Sequence, residues 1–157
     1  MRKITFFLII LLLLSAPIWA ADPIIGTWKR NPEKSKFNEA TQNLKDAIKV
    51  YKEIEENMIE STTTSIYKDD PTWINKKVFP KEGGVVKYID VKLPEGIIHA
   101  AISVEPGDWY FPTIVNGRKT LLRHIMVSKD GKTLTEVIKG LTQEGKKVDM
   151  RKVSDRQ

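Results

Sequence analysis

His99 and His124 are the only histidines in the chain, which makes them the first candidates for chemistry. Both fall in stretches that read as strands, so they could share a sheet face. A metal site needs three or four ligands, and no carboxylate is spaced to join them. Two ordinary, partly buried histidines are the simpler reading. The acidic pairs Glu55-Glu56 and Asp69-Asp70 fall in turns. Adjacent strand residues point to opposite faces, and turn carboxylates are usually just solvated. Glycosidase chemistry needs two carboxylates held across a cleft, and no pattern here supplies them. Gly83-Gly84 is not followed by a lysine or a helix, so it is no phosphate loop. No serine sits in a nucleophile elbow. There is no cysteine. That excludes disulfides, thiol catalysis, thiolate metal sites and a lipid anchor on an N-terminal cysteine. The residues therefore assign no catalytic group, no metal and no cofactor.

A second set of residues could bind rather than react. Trp73, Tyr88, Trp109, Tyr110 and Phe111 crowd the centre of the chain. Trp109, Phe111 and Val115 share one strand face and Tyr110 takes the other. As a cavity wall, Trp73, Tyr88, Trp109 and Phe111 would line a concave, mostly apolar site. The simpler reading is that such rings fill the core of a small barrel, each burying a large area.

These residues need elements to position them. Residues 1–20 have the three-part layout of a secretory signal. Arg2 and Lys3 supply charge, residues 4–14 are apolar apart from Thr5, and Ser15 to Ala20 are mostly small. Cleavage after Ala20 leaves 21–157 as one domain, exported to a periplasm or outside the cell. As an uncleaved anchor the apolar run is short, because a span takes about 20 residues. Net charge is +6, or +4 once Arg2 and Lys3 are removed. A mildly basic surface favours anionic partners, but no Arg-rich block or aromatic-basic alternation points to nucleic acid.

Beyond the leader, 24–30 reads as a strand that Asn31-Pro32 ends. Residues 44–58 are ambiguous. A hairpin of 47–54 with 58–67 fits the β-branched run 61–67, while apolar residues at three- and four-residue spacing also fit a short helix over 39–52. Further strands follow at 72–79, 85–91, 97–104, 109–115, 118–127, 133–139 and 147–153. Asn116-Gly117 is the strongest hairpin signal. Ile98, Ala100, Ile102 and Val104 share one face of their strand. Residues 155–157 read as a frayed tail. The fold class is mainly β: an antiparallel up-and-down meander of about eight to ten strands that closes to remove its edges.

Gly26-x-Trp28 resembles the first motif of lipocalins and other calycin-type barrels. The longer run Gly26-Thr27-Trp28-Lys29-x-Asn31-x-x-Lys34-Ser35-Lys36-Phe37 is similar to the start of a group of small exported bacterial lipocalin-like proteins. The hairpin at 127–135, with Lys139-Gly140 and Gly145 after it, resembles that group's penultimate hairpin. The likeness covers both ends of 24–153 but is poor between about 68 and 112. It implies a barrel whose lumen accepts a small apolar or amphipathic molecule, plugged by Trp28. It also implies an arginine late in the chain stacked on that tryptophan: Arg151, or failing it Arg123. The other lipocalin motifs are not found.

Three functions stay open. The first is an exported, monomeric, non-enzymatic carrier of a small hydrophobic or amphipathic molecule. The second is an envelope interaction module with a solid core, whose Lys76-Lys77 and Lys146-Lys147 form a basic patch for a protein, anionic lipid or polymer. The third is an enzyme built on His99 or His124, which requires a pocket and a carboxylate within reach.

Overall fold

The structure is a computed structural model that describes residues 21–36, 43–55, 57–142 and 144–157. The leader falls outside these residues. Among them there are eleven strands and no helix. β1 is Gly26–Arg30, β2 Leu44–Ile54, β3 Met58–Tyr67, β4 Trp73–Pro80, β5 Gly84–Val85 and β6 Lys87–Tyr88. β7 is Ile97–Glu105, β8 Asp108–Val115, β9 Arg118–Val127, β10 Thr133–Leu141 and β11 Lys147–Arg156. The ambiguous segment is thus strand: β2 pairs with β3 from Ile54↔Met58 to Leu44↔Tyr67. A helix over 39–52 is excluded from residue 44 onward, while 39–42 lie outside the described residues. Tertiary pairing with two neighbouring strands overrides the helical spacing there.

All pairings are antiparallel, in the order β5-β7-β8-β9-β10-β11-β1-β2-β3-β4-β6. The chain meanders, and its first strand fits between the second and the last. The two edge strands are halves of one stretch. Gly84 and Val85 pair with β7, while Lys87 and Tyr88 pair with β4. Val86 N donates to His99 O at 2.8 Å, and Ile89 N to Lys76 O at 3.0 Å. Residues 84–89 therefore hand their hydrogen bonds from one wall to the other and nearly close the barrel. The expected single strand over 85–91 is split because it must serve two diverging partners.

Turn chemistry explains the hairpins. Asn116 and Gly117 have φ of 49° and 76°, as a tight primed turn requires. Gly140 is constrained differently. Its φ is 136°, and a Cβ there would lie 2.1 Å from the Thr120 carbonyl oxygen on β9. Gly140→Ala is expected to cost about 1–3 kcal/mol through strain and overpacking. Urea unfolding checks this, and an unchanged midpoint would contradict it.

One end of the barrel is packed solid. Trp28 is 0% exposed within a cluster that includes Ile24, Ile59, Phe79, Trp109 and Ile125. Its indole Nε1 donates to Ile24 O at 2.8 Å. The guanidinium over the indole belongs to Arg156, 4.2 Å from the ring centroid, and not to Arg151 or Arg123. Arg151 is exposed, and its backbone bridges to Lys36. Arg123 points into the lumen. Nor is the C-terminus frayed. Arg156 donates to the carbonyls of Gly131, Ile25 and Pro23 at 2.5, 2.8 and 2.5 Å, so β11 runs on past residue 153. Asp22 seals the same end, accepting from Ile24 N, Gly107 N and Trp109 Nε1.

The alternation on β7 is real but inverted relative to the core. Ile98, Ile102 and Val104 face outward at 48%, 49% and 61% exposure, while Ala101 is buried.

Candidate functional site

Beyond the packed end the barrel is hollow. Two adjoining chambers, about 430 and 350 Å³, share Lys77, Tyr88, Leu93, His99 and Arg123 in their walls. The larger is mostly apolar, with Val86, Ile97, Phe111, Leu121 and Ile138 among its lining. The smaller is charged. Lys49, Lys77, Arg123 and Lys152 surround one carboxylate, Glu136. The lumen is therefore amphipathic along its length.

Strand alternation places each of these charges. Leu134, Glu136 and Ile138 share the inner face of β10, and Leu121, Arg123 and Ile125 the inner face of β9. On β4 the inner face carries Asn75, Lys77 and Phe79. On β2, Lys49 shares a face with buried Tyr51. With Lys152 from β11, side chains from five strands thus meet at mid-barrel.

Glu136 holds the cluster together. It makes a close ion pair with Lys49, and its carboxylate lies 3.6 Å from Arg123 Nε and 4.0 Å from Lys152 Nζ. Burial pushes its carboxyl pKa up, but Lys49, Arg123 and Lys152 outweigh burial and hold it well below the usual carboxylate range. The cations respond unequally. Burial lowers Lys49 to about 8, an effect that Glu136 only partly offsets. Lys77 has no carboxylate partner among the described residues. Burial, then Arg123 and Lys49, lower it well below the usual lysine value. Its Nζ sits 4.6 Å from the Phe111 ring centroid.

These shifts have a sign that can be measured. In the unfolded chain both lysines stay protonated toward 10.5, whereas the folded barrel releases their protons earlier. The unfolded state then binds more protons, so stability rises with pH. Between about pH 8 and 9.5 the barrel is expected to gain stability, below the range in which an ordinary tyrosine titrates. Higher up, Tyr51, whose pKa burial raises, opposes the trend. Urea unfolding at the two pH values checks this, and a falling profile would contradict it.

The predicted site residues separate. Tyr88 and Phe111 line the larger chamber, and Trp73, half exposed, stands at the lip of the smaller. Trp109 lines neither chamber. It is 1% exposed at the packed end, edge-on to Phe79 at 5.3 Å. Tyr110 is outside, stacked on His124 at 4.0 Å. The two histidines fall on opposite faces. His99 lines both chambers, with Tyr88 Oη 3.3 Å from its Nδ1. His124 lies outside, 2.7 Å from Asp108. One has a cavity and the other has a carboxylate, so neither meets both requirements for acid–base catalysis. Among the described residues no cluster of three His, Asp or Glu could hold a metal ion. The basic patch at Lys76-Lys77 does not form, because alternation sends Lys77 inside and leaves Lys76 outside. Lys146 and Lys147 are both exposed.

The lumen charges Lys49, Lys77, Glu136 and Lys152 escaped sequence reasoning, as did the inward role of Arg123. A signal existed: Leu134-x-Glu136-x-Ile138 and Leu121-x-Arg123-x-Ile125 each put one charge in phase with apolar neighbours.

No family model matches the chain, and no curated protein matches it either. Among solved structures it is similar to the zebrafish ileal bile acid-binding protein complexed with cholic acid. The TM-score is 0.50 at 13% identity, over 86% of this chain and 99% of that one. At that identity the likeness speaks to fold alone, and it agrees with the nearly closed antiparallel barrel that the strand order shows.

Proposed function

We propose that this barrel is a non-enzymatic carrier of a small amphipathic anion, exported by the leader at 1–20 and acting as a monomer in a periplasm or outside the cell. The observation that carries the reading is the lumen itself, where Lys49, Arg123 and Lys152 gather around the single carboxylate of Glu136 beside an apolar chamber. Burying cations without enough anions is costly, and an incoming acidic headgroup supplies the missing charge. An alkyl or ring system in the larger chamber adds roughly 25 cal/mol for each Å² of apolar surface removed from water. The structural neighbour's cholic acid complex is in keeping with this ligand class.

Titration calorimetry with dodecanesulfonate, dodecanol and dodecyltrimethylammonium tests the reading. The sulfonate is expected to bind at least tenfold more tightly than the alcohol, and the cation not measurably. Charge-assisted contacts are worth about 1.5–3 kcal/mol each, so Arg123→Met should weaken sulfonate binding by tenfold or more. Equal binding of all three amphiphiles, or of none, would refute the proposal.

A further inference from the structure

The geometry points to Lys77 as a carbonyl-capturing residue, whose amine forms an imine with a long-chain aldehyde entering the barrel. This rests on the carrier reading and adds a covalent step to it. Lys77 differs from the other lumen lysines. Lys49 and Lys152 both lie against Glu136, whereas Lys77, 6% exposed, has no hydrogen bond or carboxylate among the described residues. Phe111 lies on one side of it, and both chambers open onto it. Burial and nearby cations favour its neutral form. A desolvated amine beside other cations is a nucleophile that carries a free lone pair. The apolar chamber beside it accommodates the aldehyde's tail.

A proton relay stands next to the amine. Tyr88 is the cross-strand partner of Lys77 between β4 and β6, and its hydroxyl reaches His99 Nδ1 at 3.3 Å. Burial, then Lys77 and Arg123, lower the His99 pKa and favour the neutral ring. The Nζ lone pair attacks the carbonyl carbon, and the C–N bond forms. The π pair moves to oxygen, which takes a proton from the Tyr88–His99 pair, and nitrogen returns one to that pair. The nitrogen lone pair then forms the C=N bond as the C–O bond breaks; the leaving hydroxide takes a proton from the relay and departs as water, and the iminium N–H returns that proton to the relay. Amine and aldehyde give imine and water, with no oxidant or reductant.

The test incubates the intact protein with dodecanal and cyanoborohydride, which reduces any imine to a stable secondary amine. Peptide mass spectrometry then locates the adduct. Expected is one dodecyl group per chain, on Lys77, formed at least tenfold faster than on exposed Lys146 and suppressed by excess dodecanesulfonate. Lys77→Arg should abolish that adduct, and Tyr88→Phe should slow its formation. Adducts spread over exposed lysines with Lys77 untouched would overturn the inference. If dodecanesulfonate still binds in that case, the carrier reading survives alone. If it does not bind, both fall.

Discussion

Replacing Glu136 with glutamine should cost the ligand-free barrel about 3–5 kcal/mol, read as a lower urea midpoint at pH 7. The substitution keeps the shape of the side chain and removes only its charge. Lys49, Arg123 and Lys152 then face a neutral amide. Replacing such a cluster wholesale with apolar residues is often neutral, but removing one member strands the others. The acid limb should change too. The folded Glu136 pKa is depressed from 4.5, so its contribution is complete above the unfolded value and is lost as pH falls toward the folded one. The variant should lack that loss. Saturating dodecanesulfonate should restore part of its stability, since a bound anion replaces the missing carboxylate and binding to the folded state stabilises it. An unchanged midpoint would mean that the cluster is not the electrostatic centre of the lumen.

The second large effect is expected at the opposite end. Trp28→Ala should destabilise the protein by about 3–5 kcal/mol, seen in the same unfolding experiment. The indole is fully buried, so its loss leaves a cavity among Ile24, Ile59 and Trp109 that the nearly closed ring of strands cannot easily collapse. It also removes the surface on which Arg156 stacks, and Arg156 ties together the carbonyls of Pro23, Ile25 and Gly131. Trp28→Phe should cost less, because it keeps a ring at the plug. If alanine proves no worse than phenylalanine, the end is not held by that side chain.

Several features of this fold could be read before any coordinates. Asn116-Gly117 turns where expected because few other dipeptides adopt positive φ twice in a row. The hairpin of β2 with β3 follows from the β-branched run on β3. The even spacing of turns implied a meander, and β1 pairing with both β2 and β11 completes it.

What stayed hidden is which side of each strand faces in. The outward apolar face of β7 and the inward Lys77 on β4 are the two clearest cases. Alternation divides a strand into two faces and is silent on which one is enclosed. On β7 the inner face carries Ile97, His99 and Ala101, while Ile98, Ile102 and Val104 are left in solvent. Arg151 and Arg156 illustrate the same limit. Both lie on the last strand, and only the pairing of Trp28 with Arg156 in register decides which one meets the indole.

Taken alone, the amino-acid sequence determined where most strands turn and that they follow one another as an antiparallel meander. These are matters of backbone preference and of neighbours close along the chain. The tertiary structure decided that the barrel is hollow at one end and that its hollow is cationic. A buried charge is tolerated only when distant strands bring it a partner, and Glu136 meets Lys49 across 87 positions of chain.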